Sequence, residues 1–297
     1  MRVGVVVLPE TGWAEGARRW RAVEDLGFDS AWTYDHVSWR ALRDKAWYST
    51  FPTLTAAACH TSRIRLGTLV TSPNFRHPVL TAKDAIAVDD ISDGRFTLGV
   101  GSGSTGAGDA TVLGGPDLSP RQRADRFAEF TGLLDALLSN DVTDHEGVYF
   151  SASDARMLPG CVQRPRLPLA IAAAGRRGFD LVARYGNAWV TQGPADWSRV
   201  SSNAECAKLI AEHGARLARA CERVGRDPAQ LSRIFMPTPV SCPNPVTSVT
   251  AFRELAERVA EAGITELVVH WPRADGVYAA PADILERISA QALPALR

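Results

Sequence analysis

Short apolar runs alternate with stretches of helical spacing along the whole chain. The runs are Arg2 to Leu8, Phe28 to Tyr34, Ile64 to Val70, Phe96 to Val100, Pro168 to Ala173, Asn187 to Thr191, Ser232 to Val240 and Glu266 to Trp271. Nearly every one is followed by a helical pattern: Trp13 to Leu26, Pro52 to Thr61, Val79 to Ile91, Pro120 to Leu138, Arg177 to Tyr185, Ala204 to Val224, Thr247 to Ala262 and Ala282 to Leu293. Strict alternation implies parallel pairing with right-handed crossovers. Eight such units close into a (β/α)8 TIM barrel, read here as a single domain over residues 1–297. The competing arrangement, an open doubly wound sheet, usually has fewer strands. A hairpin is expected over Val142 to Ser151, turning at Glu146-Gly147, with a loop over 152–167.

Composition narrows the function. Lys plus Arg and Asp plus Glu are both 33, so there is no net field to attract nucleic acid or an anionic membrane. The first residues enter a strand directly, and no run reaches the ~18 apolar residues of a membrane span. The five cysteines include no C-x-x-C pair, so reduced thiols in a cytoplasmic protein are expected. Cys59, in an Ala-rich helical run, reads as a small core residue.

In a barrel of this kind the site lies at the carboxyl ends of the strands. Those ends carry Glu10, then Asp35, His36 and Trp39, then Thr71, Ser72, Asn74, Arg76 and His77. The fourth ends in Gly101-Ser-Gly-Ser-Thr-Gly-Ala-Gly108. Ala173, Ala174, Gly175 and Arg176 follow the fifth, and Thr191, Gln192 and Gly193 the sixth. Met236 follows the seventh, and His270, Trp271 and Arg273 the eighth.

These residues discriminate between chemistries. The first strand offers no metal ligand and the histidines stand singly on different strands, so no metal site is expected. Gly101-Ser-Gly103 overlaps the nucleophile elbow of serine hydrolases only in part. The text Gly101-x-Gly103-x-x-Gly106 matches a dinucleotide fingerprint, but it follows the fourth strand and lacks the strand-end acid ~20 residues on. The glycines instead permit close backbone approach to a bulky ligand. Gly175-Arg176-Arg177 opens a helix, and helix N-termini with nearby Arg hold phosphate. Trp39, Trp47, Tyr48 and Trp271 offer walls for an apolar or unsaturated small-molecule substrate.

The chain resembles the bacterial luciferase-like superfamily of flavin- and deazaflavin-dependent oxidoreductases. Arg65-Leu-Gly-Thr-Leu-Val-Thr71, Phe75-Arg-His-Pro78, Ile91-Ser-Asp-Gly-Arg-Phe96, Leu98-Gly-Val-Gly101, Ala173-Ala-Gly175 and Arg184-Tyr-Gly186 carry the resemblance, which extends over essentially the whole length. It implies a homodimer, a ring cofactor at the strand ends and its phosphate near the fifth and sixth loops. It also implies a non-prolyl cis peptide around Thr71-Ser72. Asp35-His36 followed by Trp39 looks like the deazaflavin (coenzyme F420) branch. There the Asp lies near the ring, the His handles a substrate proton and the Trp walls the pocket. An imidazole, titrating near neutrality, suits that role.

Cofactor contacts would come from Asp35, Thr71, Ser72, Asn74, Gly101, Ser102, Ser104, Ala173, Ala174, Gly175, Arg176, Thr191, Gln192 and Gly193. The substrate pocket would draw on Trp39, Trp47, Tyr48, Met236, His270, Trp271 and Arg273. Sugar-phosphate dehydrogenases of the branch place Glu after the Gly-x-Gly of the fourth loop. Here Ser104 stands there, which fits better a reductase or dehydrogenase of another small molecule. The first reading is a reductase of C=C or C=N bonds in secondary metabolism or degradation. The alternatives are a monooxygenase using reduced FMN and oxygen, and a non-catalytic flavin-binding protein. Retention of His36 speaks against the latter.

Overall fold

The computed structural model describes residues 1–103, 105, 108–116, 118–196 and 198–296. Among them eight strands close a parallel barrel: β1 (Arg2–Val6), β2 (Ser30–Thr33), β3 (Arg65–Thr68), β4 (Phe96–Val100), β7 (Leu169–Ala172), β8 (Ala188–Thr191), β9 (Ser232–Phe235) and β10 (Glu266–His270). The ring closes where β1 pairs with β10, from Arg2↔Glu266 to Val6↔His270. Helices α1 (Trp13–Asp25), α2 (Thr50–His60), α3 (Pro78–Ile91), α4 (Pro120–Ser139), α5 (Arg176–Tyr185), α6 (Asn203–Arg223), α7 (Val249–Glu261), α8 (Ile284–Gln291) and α9 (Leu293–Leu296) follow in chain order.

Local chemistry sets these boundaries. α4 starts on a reciprocal cap, with Ser119 accepting from the Gln122 N–H and the Gln122 side chain accepting from the Ser119 N–H. Pro120 occupies the first turn, where no N–H is needed. Ser202 and Glu205 cap α6 the same way. The seventh strand stops at Phe235 rather than Val240, because Pro237 and Pro239 cannot donate to a ladder. The hairpin forms from β5 (Val142–Glu146) and β6 (Ser151–Arg156), so its second arm extends into the expected loop. Glu129 of α4 holds the turn, accepting from the N–H groups of Val148, Tyr149 and Phe150.

Two apolar cores result. One lies between strands and helices, around Val5, Phe96, Leu98, Phe130 and Leu255. The other fills the barrel, with Val6, Leu8, Trp32, Tyr34, Leu69, Val190, Met236 and Val268. Each such side chain contributes about 1.5–3 kcal/mol when fully buried. Trp32 crosses the floor over Gly4 and Gly67, which leave room for its rings. Its indole N–H reaches Ser30 Oγ at 2.7 Å and Glu266 Oε1 at 3.2 Å, and Arg2 Nε donates to the other oxygen of Glu266. The floor is thereby sealed, and the mouth at the carboxyl ends is left for chemistry. Cys59 is exposed, contrary to its expected place in the core; the other four cysteines are free thiols in the interior. None of the described helices is long and apolar enough to cross a membrane.

Candidate active site

The end of β2 delivers three consecutive polar residues in three directions. Tyr34 points into the barrel. Asp35, buried, is gripped by Arg76, whose Nε and Nη2 donate to its two oxygens at 3.1 and 2.7 Å. The guanidinium lies over the rings of Phe51 and Phe75, 5.0 and 4.9 Å from their centroids. Asp35 therefore ties β2 to the loop after β3, its carboxylate already paired. His36 turns toward the loop after β4. Its Nδ1 lies 2.5 Å from Oδ2 of Asp109, and Oδ1 of Asp109 accepts the N–H of Val37 at 2.8 Å. The Asp109 side chain is 2% exposed, that of His36 21%.

An aromatic wall stands beside this pair. The hydroxyl of Tyr34 is hydrogen-bonded to Nε2 of His270 at 2.7 Å and to the hydroxyl of Tyr278 at 3.2 Å. Tyr278 stacks on His270 with ring centroids 3.5 Å apart. Trp39 lies nearly parallel to both Tyr278 and Trp47, at 6.0 and 6.5 Å. Trp47 also tilts against His36 at 6.4 Å, and its indole N–H is buried with no partner among the described residues. Burial holds the His270 pKa down at about 3 and pushes Tyr278 up to about 12; burial also raises Tyr34. The wall is thus polar in its atoms and uncharged near neutral pH. Met236 sits below it, its sulfur 3.5 Å from the Tyr34 hydroxyl.

The remaining expected pocket residues stand apart. Tyr48 is exposed and joins none of these ring contacts. Trp271 lies under the guanidinium of Arg19, and Arg273 pairs with Glu10, clasping the loops after β1 and β10. A cavity of about 230 Å³ opens next to the wall, bounded by His270, Tyr278, Thr238 and Val246. A larger cleft of about 440 Å³ lies at the amino ends of the strands, among Arg2, Asp29, Ser232 and Thr265, at the opposite end from His36.

The loop after β3 corrects one expectation. The non-prolyl cis peptide is Leu69–Val70, not Thr71-Ser72. By Thr71 the chain has rejoined the sheet: the Thr71 N–H donates to the Gly99 carbonyl and the Gly101 N–H to the Thr71 carbonyl, both at 2.8 Å. In the glycine-rich loop after β4, Gly101 and Gly103 also make room for the chain itself. A Cβ on Gly101 would meet Val70, and one on Gly103, at φ +74°, would meet Asn74. Asn74 accepts from Arg126 Nη2 at 2.5 Å. Ser72 is buried and Ser102 half-buried. The hydroxyl of Thr71 is buried and has no partner among the described residues. Ser104 lies outside the described residues.

The loops after β7 and β8 divide the expected anion site unequally. Ala173 is buried, whereas Ala174, Gly175 and Arg176 are exposed. Gly175 caps α5 with no side-chain partner for the first-turn N–H groups among the described residues, and a Cβ there would meet none of them within 4 Å. Arg177 pairs with Asp125; Arg176 makes no ion pair among the described residues. In the β8 loop the Gly193 N–H donates to Thr191 Oγ1 at 3.2 Å and the Gln192 carbonyl accepts from Ser241. These two groups of the β8 loop are engaged within the protein, whereas the first-turn N–H groups of α5 meet no side-chain acceptor among the described residues.

Reading the sequence missed Asp109, Tyr34 and Tyr278. An acid inside a glycine-rich strand-end loop, and a lone aromatic in the small-residue run after β10, were the available signals.

The model of the luciferase-like monooxygenase family matches residues 1–272. The chain is similar to an F420-dependent glucose-6-phosphate dehydrogenase from Beutenbergia cavernae, 31% identical over 92% of this chain and 90% of that one. It is also similar to a 4-hydroxyprotoasukamycin monooxygenase from Streptomyces nodosus subsp. asukaensis, 33% identical over 70% of this chain but only 58% of the relative. In fold it resembles an F420-dependent secondary alcohol dehydrogenase solved with an F420-acetone adduct, with a TM-score of 0.82 at 17% identity, covering 100% and 99% of the two chains. With the barrel, its strand-end loops and a match over most of its length, the chain belongs to the luciferase-like monooxygenase family.

Proposed function

We propose that this protein is a coenzyme F420-dependent oxidoreductase acting on a small, uncharged organic substrate. A reductase of C=C or C=N bonds in secondary metabolism or degradation fits best. The observation that carries the reading is His36: an imidazole held at one nitrogen by a buried carboxylate, at a strand end, beside an uncharged aromatic wall. Relatives named for F420 support the choice of cofactor.

The residues present fit the group. The buried Thr71 hydroxyl, without a partner among the described residues, and the half-buried Val70 stand at the strand ends where a ring would lie. The open N-terminus of α5, with Gly175 and Arg176, suits its phosphate. When bound, the deazaflavin takes or gives a hydride at ring carbon five. His36 handles the accompanying proton. Trp39, Trp47 and Tyr278 exclude water and offer flat apolar faces. Tyr34 and His270, both neutral, add no charge that an apolar substrate would have to desolvate. Glucose 6-phosphate is not carried over from the relative, because Ser104 stands where a sugar-phosphate dehydrogenase of the branch has Glu.

A second reading, a monooxygenase using reduced FMN, is favoured by the 33%-identical monooxygenase relative. Titrating the protein with F420 and with FMN, followed by fluorescence quenching, separates the two. F420 should bind more tightly, and turnover should consume no oxygen. Tighter FMN binding with oxygen uptake would replace the first reading by the second.

A further inference from the structure

The geometry points to Asp109 as the positioning residue that decides which nitrogen of His36 meets the substrate. The inference rests on the reading of His36 as the proton-handling group. Both carboxylate oxygens of Asp109 are engaged: Oδ1 by the Val37 N–H at 2.8 Å, Oδ2 by His36 Nδ1 at 2.5 Å. A carboxylate only accepts, so Nδ1 carries the proton and Nε2 keeps its lone pair. Turning the carboxylate away would strip the Val37 N–H of its acceptor. No other described residue hydrogen-bonds His36. Tyr34 and Trp47 touch it only through their rings, at 6.0 and 6.4 Å, and the neighbouring Asp35 is closed on Arg76. The accessible part of His36 is therefore its Nε2 side.

This fixes the atom through which the proton passes. In reduction, Nε2 first takes a proton from solvent onto its lone pair. The substrate atom left with an electron pair by hydride addition then takes that proton, which returns His36 to its neutral Nδ1–H form. The Nε2–H bond breaks, a bond to the substrate atom forms, and Nδ1–H stays on Asp109. Oxidation runs the same transfer backwards. The β4 loop thus contributes an acid that acts through His36, and it does so from position 109.

The test is histidine-selective 15N labelling of the full-length protein, with His36 assigned by its absence in His36→Ala. Wild type should show a proton on Nδ1. In Asp109→Asn the Val37 N–H retains the side-chain carbonyl, so the amide nitrogen faces Nδ1 and donates to it. The imidazole proton then moves to Nε2. Turnover with F420 should fall by about 10²- to 10⁴-fold, the usual contribution of a positioned acid or base, approaching the upper end as when the orienting acid of a Ser-His-Asp triad becomes an amide. The F420 titration midpoint should stay within about twofold, since Asp109 acts only through His36. Asp109→Glu, which keeps an acceptor, should keep Nδ1–H and recover part of the turnover. If Asp109→Asn does not fold, Asp109→Ala takes its place and should give a mixture of tautomers. A proton that stays on Nδ1 in either variant overturns the assignment. If His36→Ala turns over normally while the tautomer still follows position 109, the catalytic reading of His36 falls and the positioning one stands.

Discussion

Val70 occupies the space that a side chain on Gly101 would need: a Cβ built there would stand 2.6 Å from Val70 Cγ2. One strand later in the sheet, the glycine is what lets the β3 loop reach into the mouth. Gly99, two residues earlier, faces first a backbone carbonyl, that of Thr68, with the Val70 side chain farther off. A side chain can rotate; a carbonyl in a paired strand cannot. Gly101→Ala should therefore cost about 1–3 kcal/mol by overpacking, and Gly99→Ala more. Urea denaturation of both variants measures the order, and equal losses would mean that the Val70 contact is as rigid as the backbone.

Much of this architecture was legible. Apolar runs bounded by Gly and Pro marked every barrel strand, because burial on both faces leaves little room for polar residues. The second arm of the hairpin was not, since Ser-Ala-Ser-Asp-Ala-Arg has neither β-branched nor aromatic side chains. Site residues divided the same way. His36 announces itself by chemistry and by its strand end. Asp109 finds it only through a loop conformation 73 residues on, which no local pattern encodes. Gly101 and Gly103 read identically whether a ligand or the chain's own Val70 and Asn74 lie against them.

Replacing His36 by Ala should lower turnover by about 10²- to 10⁴-fold, the usual contribution of a positioned acid or base. Cofactor binding should hardly change, because the proposed phosphate and ring contacts lie on other loops. Steady-state rates and a fluorescence titration on the same preparation would separate these. Near wild-type turnover would remove His36 from the chemistry.

Gly175 offers a cleaner probe of the phosphate. Its backbone, φ −131° and ψ 168°, suits any residue, and its surroundings are open. Gly175→Ala should leave stability within about 0.5 kcal/mol. A bulky replacement such as Gly175→Trp should also fold, yet weaken F420 binding at least about tenfold by covering the α5 N–H groups. Unchanged titration curves for a folded Gly175→Trp would move the phosphate to another loop.

His270 predicts how stability depends on pH. Burial holds its pKa at about 3, against 6.5 for an unhindered histidine. Between those values the unfolded chain binds a proton that the folded chain refuses. Unfolding therefore takes up protons, and stability falls as pH falls from 6.5 toward 3, by up to about 1.4 kcal/mol per pH unit from this group. His77 and His213 are also lowered by burial and slope the same way, so the comparison must isolate His270. His270→Gln keeps an acceptor for the Tyr34 hydroxyl and removes the titration. Its urea midpoint should start lower at pH 7, because the stack with Tyr278 is lost. It should then decline less steeply than wild type between pH 6 and 4. Parallel declines in the two proteins would show that the Tyr34–His270–Tyr278 wall admits a proton, and with it a charge, beside the substrate.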